Sequence, residues 1–142
     1  MYILDTNFVS ELRKGPDVPS AKPAVAWASQ ADEDSLYLSA ITILELERGV
    51  RRIERKDGPQ GALLRRWLDE MVRPAFAGRI LPVDEAVALR CAALHVPNPV
   101  PYRDGLIAAT ALVHSMAVVT GNVKDFERTG VTIIDPWEVE RP

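Results

Sequence analysis

A single cysteine, Cys91, stands among 142 residues, so no disulfide can form within the chain. That usage suits a reducing compartment. Cys91 lies in an apolar helical stretch, where a core thiol is expected rather than a nucleophile. Histidine is nearly as scarce. His95 and His114 are the only two, neither has partners at zinc-ligand spacing, and no Ser-His-Asp arrangement is suggested. A basic excess is also missing: 17 Lys and Arg against 20 Asp and Glu leave a formal net charge of −3. This excludes nucleic-acid binding through bulk charge; any such contact must be local, or must run through a metal ion that inverts the sign of an acidic pocket. No apolar run approaches membrane-spanning length. Met1 to Asn7 reaches an acid at position five and lacks the basic start and long apolar run of a signal peptide. No P-loop pattern occurs. The expectation is a soluble, cytoplasmic protein with no membrane contact.

What is present is an ordinary globular composition, 47% apolar and 26% charged, enough for one compact domain over residues 1–142. Short apolar runs alternate with helical patterns. Tyr2 to Leu4, Leu36 to Leu38, Ile80 to Val83, Ala117 to Thr120 and Val131 to Ile134 read as strands. Helices are expected at Phe8 to Arg13, around Val25 and Trp27, and from Ala40 to Arg55 with Ser39 as cap. Others are expected at Ala62 to Val72, from Asp84 to about His95, at Tyr102 to Ser115, around Asn122 to Arg128, and from Pro136 and Trp137 onward. Gly58 and Pro59 are read as separating two of them, and Pro97, Pro99 and Pro101 cannot lie in a helix interior. Alternating strands and helices, with strands apolar on both faces, indicate an α/β fold with a parallel sheet covered by helices. Ligands in such sheets collect at the carboxyl ends of the strands.

Acids recur at those ends. Asp5 follows the first strand, Asp125 lies just beyond the strand ending at Thr120, Asp104 sits in the first turn of the helix after the proline loop, and Glu45 lies one to two turns into the long helix. Each has a plain explanation alone: Asp5 as a helix cap, Asp104 at a helix dipole, Asn122 and Asp125 as a capping box, Glu45 paired to an arginine on its own helix. Gathered together, four carboxylates without counter-charge would repel and raise one another's pKa values, a cost that a hard divalent cation removes. Such a site suits phosphodiester hydrolysis. A dehalogenase-type phosphatase would need a second acid at position 7, which is Asn7.

The segments Ile3-Leu4-Asp5-Thr6-Asn7, Ser39 through Glu45-Leu46 to Gly49, Asp104-Gly105-Leu106-Ile107-Ala108-Ala109-Thr110-Ala111 and Thr120-Gly121-Asn122-Val123-Lys124-Asp125-Phe126 closely resemble the PIN-domain ribonucleases, nearest to the VapC and FitB-like toxins of toxin–antitoxin pairs. The resemblance spans essentially the whole chain. It implies a three-layer α/β/α sandwich on a mainly parallel five-stranded sheet, order 3-2-1-4-5, and cleavage of RNA with Mg²⁺ or Mn²⁺. Asp5 and Asp104 would be the main metal ligands, Glu45 and Asp125 would complete the site, and Thr6, Asn7, Thr120 and Asn122 would support it. A homodimer and a cognate small DNA-binding antitoxin, VapB- or FitA-like, are implied as partners. A catalytically silent binding module of the same fold is the competing reading. Many members carry Arg where this chain has Gly121, which removes a phosphate contact. Arg48, Arg51 and Arg52, with Arg55, Lys56, Arg65 and Arg66 nearby, are candidates to hold the RNA backbone; the alternative is a solvated face paired to Glu47 and Glu54. Trp27, Trp67 and Trp137 are expected in core or dimer packing.

Overall fold

The computed structural model describes residues 1–138. Five short strands, β1 (Tyr2–Leu4), β2 (Leu36–Ser39), β3 (Ile80–Leu81), β4 (Ala117–Val119) and β5 (Ile133–Ile134), form one sheet in the order β3-β2-β1-β4-β5. Every neighbouring pair is parallel, as the alternation of elements requires. The helices are α1 (Thr6–Lys14), α2 (Lys22–Gln30), α3 (Ala40–Lys56), α4 (Gly58–Arg66), α5 (Arg73–Ala75), α6 (Glu85–Leu94), α7 (Tyr102–Val113) and α8 (Val123–Phe126).

Strand alternation divides the core into two layers. Leu4, Leu36, Leu38 and Val119 pack with Phe8 and Val9 of α1, Ala24 of α2, Leu46 and Val50 of α3, and Leu68 and Val72. Their neighbours Ile3 and Val118 point the other way, onto Ile107, Ala108 and Ala111 of α7 and Phe126 of α8. A third group, Val87 and Cys91 of α6 with Ala109 of α7, packs α6 behind α7. Sheet and helices on both faces give the three-layer sandwich. Cys91 is buried in it, as its apolar context implies. Trp27 meets Tyr2 and Phe8 edge-on at centroid distances of 5.2 and 5.7 Å, and Trp137 meets Phe8 at 6.1 Å, so these two rings serve packing.

Several boundaries differ from the sequence pattern for local reasons. Asp5, rather than Thr6 or Asn7, caps α1. Gly58 and Pro59 open α4 instead of interrupting the chain: Asp57 caps the helix by accepting the Gln60 N–H at 3.1 Å, and a proline in the first turn surrenders no intrahelical bond. The helix then widens into a π segment, Trp67–Val72. β3 stops at Leu81 because Pro82 has no N–H for the ladder. Ser39 and Asp84 cap α3 and α6 as expected, accepting from Ile41 and Val87 at 3.0 Å each. Pro136 and Trp137 form a turn, and residues 139–142 of the C-terminal helix expected there lie outside the described residues.

Leu38 is fully buried on the interior strand β2. Leu38→Ala is expected to cost about 2–5 kcal/mol of unfolding free energy, because the surrounding layer cannot close the void completely. Urea unfolding followed by circular dichroism measures this.

Candidate active site

β1 lies between β2 and β4, so its carboxyl end is flanked on both sides, at the point where strand order reverses. Asp5 is the next residue. Its backbone N–H continues the ladder by donating to Val119 at 3.0 Å, and its side chain is almost completely buried. One oxygen, Oδ1, accepts the Thr6 N–H at 2.8 Å and so caps α1; the other, Oδ2, accepts the Thr120 hydroxyl at 2.8 Å. Burial pushes the Asp5 carboxyl up to about 6, against the pull of the Thr120 and Thr6 hydrogen bonds, and the nearby charges of Glu45 and Asp125 raise it further.

Thr120 follows β4 directly and is completely buried. Its backbone N–H donates to Ile134 at 3.0 Å, which fixes it against β5. Its oxygen accepts the Asn122 N–H at 2.9 Å and lies 3.4 Å from the Asn7 amide oxygen. Thr120 therefore ties together the first acid, Asn7 and the turn that carries Asp125. That turn is not a capping box: the Asn122 side chain makes no capping hydrogen bond to α8. The Asp125 carboxylate has no hydrogen bond or ion pair among the described residues, and its charge is felt by Asp5 and Asp104.

Glu45 enters from the opposite layer. Its Oε1 accepts the Thr6 hydroxyl at 2.6 Å, and the Thr6 and Thr42 hydroxyls stand 3.2 Å apart. Its Oε2 lies 3.4 Å from Nε of Arg103. The intrahelical pairing open to Glu45 from its sequence position is thus not what forms; its partners come from α1 and α7. Asp104, in the first turn of α7, has its carboxyl pushed up to about 6 by burial and by the charges of Asp5, Asp125 and Glu45, with Arg103 pulling the other way. Gly105 fixes its backbone: a Cβ there would stand 2.9 Å from Val100 Cγ2 and 3.4 Å from Cys91 Sγ, so α7 starts this close to α6 only without a side chain.

The four acids named from the sequence are therefore electrostatic neighbours at one sheet edge, and Thr6, Asn7, Thr120 and Asn122 form the polar scaffold between them. Two residues were not named from the sequence. Thr42 precedes Glu45 by three positions and shares its helix face, a spacing that could have marked it. Arg103 adjoins Asp104 in the chain. Gly121 lies at the rim: a Cβ on it would approach Trp137 Cε3 to 3.0 Å, so a side chain here requires the indole to yield by a few tenths of an ångström. That ring is held by Nε1 donating to the Ser20 carbonyl at 2.8 Å.

The arginine cluster divides. Arg65 joins Glu47 at 2.6 Å, Glu54 at 2.9 Å and Asp69 at 3.6 Å, and Arg51 joins Glu47 at 2.5 Å. Hydrogen bonds from Arg65 and Arg51 hold the Glu47 carboxyl down to about 2. These cations belong to an ion-paired α3–α4 surface. Arg48 and Arg52 are exposed, make no ion pair among the described residues, and line an open depression of about 430 Å³ with Leu44, Arg51 and Arg55. His95 Nδ1 accepts the Val100 N–H at 3.2 Å, a structural role.

Among the described residues, no three His, Cys, Asp or Glu side chains are set to clasp one ion between them. The donors are nevertheless all oxygen, two of the carboxyls are driven toward neutrality, and among the described residues a single guanidinium is paired to the four acids. That chemistry fits a hard divalent cation that keeps several waters and takes only part of its shell from carboxylates.

Comparison with known proteins agrees with this geometry. A PIN domain model matches residues 2–131. The toxin FitB of Neisseria gonorrhoeae is 38% identical over 143 residues, covering 96% of this chain and 99% of its own. The VapC ribonuclease Y4jK of Sinorhizobium fredii is 38% identical over 144 residues, covering 97% and 99%. The solved structure of FitAcB from Neisseria gonorrhoeae superposes with a TM-score of 0.86 at 36% identity, covering 97% of this chain and 99% of that one. Ribonucleases of this kind generally depend on divalent metal. With the strand order, the acid-bearing sheet edge and these relatives in agreement, the chain belongs to the PIN domain family.

Proposed function

We propose that the chain, with residues 1–142 acting as one domain, is a metal-dependent ribonuclease and the toxin of a type II toxin–antitoxin pair. The observation that carries this reading is the convergence of Asp5, Glu45, Asp104 and Asp125, with two carboxyls raised to about 6 and one cation in contact. Relatives named as a toxin and as a ribonuclease over nearly the full chain support it. The setting is the cytoplasm; no helix among the described residues is long and apolar enough to cross a membrane. The partners are an RNA substrate, a second copy of the chain and an antitoxin of the FitA or VapB kind.

Asp5 and Asp104 would hold Mg²⁺ or Mn²⁺, with Glu45 and Asp125 completing the set directly or through water. When bound, the ion supplies positive charge to a phosphodiester and makes water a stronger nucleophile. Thr120 and the Thr6 N–H hold Asp5 in one orientation, so its oxygens need no reorganisation. Thr6 likewise fixes Glu45. The Asp125 carboxylate, which has no hydrogen bond among the described residues, takes a proton from the attacking water. Water oxygen bonds to phosphorus as the bond from phosphorus to the 3′ oxygen breaks, that oxygen takes a proton from solvent, and the products carry a 5′-phosphate and a 3′-hydroxyl. Arg48 and Arg52 lie three and seven positions beyond Glu45 on α3, close to its helix face, and steady the RNA backbone.

Asp5→Asn and Asp104→Asn are each expected to lower cleavage of single-stranded RNA by more than the roughly 10- to 100-fold typical of supporting residues, with the fold retained. Chelation is expected to stop the wild-type reaction. Cleavage in the presence of chelator, or 2′,3′-cyclic phosphate ends, contradicts the mechanism. Reversal of both Arg48 and Arg52 to Glu is expected to raise KM for RNA with little change in kcat; an unchanged KM removes them from the RNA surface.

A pH dependence follows from Asp5 and Asp104. Their folded values near 6 exceed the ordinary 3.8, so the metal-free folded chain holds more protons than the unfolded one between about pH 4 and 6. Their contribution to stability is therefore greatest below that window, falls as pH rises through it, and is flat above it. Metal needs the ionised carboxylates. The rise in Tm caused by Mn²⁺ is expected to be larger at about pH 7.5 than at about pH 5, and thermal melts with and without the ion test this. An equal rise at both values contradicts it.

A further inference from the structure

Among the described residues Arg103 is the one cation in contact with the acid cluster, and the way it makes that contact is incomplete. Its Nε lies 3.4 Å from Glu45 Oε2, while its side chain is 49% exposed and that of Glu45 23%. No hydrogen bond from its terminal nitrogens is formed to any described residue. A guanidinium committed only through Nε keeps its outer N–H fork available, and that fork matches the oxygens of a phosphate. A half-exposed pair at this distance is weak and readily exchanged. The same guanidinium lowers the neighbouring Asp104, so it relieves part of the repulsion among acids on both α3 and α7. Gly121 offers no side-chain cation of its own beside Thr120, whereas Arg103 is already in contact with one of the acids.

Resting on the ribonuclease reading above, we propose that Arg103 is an exchangeable counter-cation: it pairs with Glu45 in the metal-free protein and turns to a phosphate of the RNA once a divalent ion takes over that carboxylate. It acts on Glu45 as a positioning residue and on the substrate as a phosphate contact. Two consequences have opposite directions. Removing Arg103 removes a competitor for the ion, and it also removes a hold on RNA.

The test compares the full-length wild type with Arg103→Gln and Arg103→Lys. Mn²⁺ binding without RNA is followed by electron paramagnetic resonance of the free ion. KM and kcat for a mixed-sequence single-stranded RNA are followed in Mg²⁺ across a range of NaCl. Arg103→Gln is expected to bind Mn²⁺ about two- to fivefold more tightly. The same change is expected to raise KM more than it lowers kcat, and to reduce the salt dependence of log KM by about 0.7, the loss of one phosphate contact on a single strand. In a Glu45→Gln background, Arg103→Gln is expected to change Mn²⁺ affinity less than it does in the wild type, because only its field on Asp104 is left to lose. Arg103→Lys, which keeps charge without the fork, is expected to recover part of the RNA affinity, and it carries the test should the glutamine variant fail to fold. Unchanged or weaker Mn²⁺ binding, or an unchanged salt slope, overturns the proposal. Wild type that binds Mn²⁺ and cleaves RNA while Arg103→Gln matches it on both readouts overturns the role of Arg103 alone. Wild type that neither binds Mn²⁺ nor cleaves overturns the ribonuclease reading together with it.

Discussion

The buried carboxylate of Asp5 at the end of the central strand is the constraint around which the site is organised. Burying a carboxylate is unfavourable unless its oxygens find donors, and here each oxygen has one: the first N–H of α1 and the hydroxyl of Thr120. The second donor arrives only because β4 lies beside β1 in parallel register, Leu4 opposite Val119. A slip of one residue would turn Thr120 away and expose the alternate row of β4 side chains to the wrong layer. The same register that divides Val118 and Val119 between the two cores thus also places the hydroxyl that Asp5 requires. Core packing and site chemistry are set by one alignment.

Strand order then decides where the remaining acids come from. With β1 flanked by β2 and β4, the sheet edge above it is reached by α3 from one layer and by α7 and α8 from the other. Glu45, Asp104 and Asp125 approach from these three helices, and no two of them lie on the same element. Burial raises both Asp104 and Asp5, and repulsion among the acids adds to each rise. A fold that accumulates this much like charge at one edge, with only Arg103 paired to it among the described residues, is poised for an added cation. This also reconciles an acidic chain with a polyanionic substrate: the sign of the pocket is a property of the apo protein, and an ion in it reverses the field a phosphate meets.

The sheet was legible in the sequence because both faces of every strand are covered, so Tyr2 to Leu4, Leu36 to Leu38 and Ala117 to Val119 read as continuous apolar runs. Their ends were less legible. Val131 has a buried side chain yet lies outside β5, since burial and ladder hydrogen bonding are separate properties and only the first leaves a mark on composition. The start of α4 was hidden because Gly58 and Pro59 disrupt a helix interior but are compatible with its first turn, and only the placement of Asp57 distinguishes the two. The four acids could be named individually from their positions after strands. Their convergence could not, because it depends on crossovers of dozens of residues whose geometry no spacing rule encodes; the whole-chain resemblance provided it instead. The scaffold beneath them was half visible. Thr6 and Thr120 adjoin strand ends, whereas the bond from Thr6 to Glu45 joins two helices at a sequence separation of 39.

The arginines show why counting charge along a helix does not find a nucleic-acid surface. Arg48, Arg51, Arg52 and Arg65 look alike in the sequence, all basic and all on α3 or α4. Arg65 is bound to three carboxylates, Glu47, Glu54 and Asp69, and has no free fork to offer a phosphate without first releasing them. A cation already neutralised in this way contributes little field at a distance, and recruiting it to RNA would forfeit its existing pairs. Arg48 and Arg52 carry no such debt among the described residues and sit where α3 leads away from Glu45. Arg103 lies between these extremes, paired once, through one nitrogen, to an acid that an ion can claim. Availability of a cation is decided by how many of its donors are already satisfied and how easily the partner can be taken over. By that measure the residue beside Asp104, which the charge pattern of α3 does not include, is better placed to meet the reacting phosphate than most of the cluster that pattern highlights.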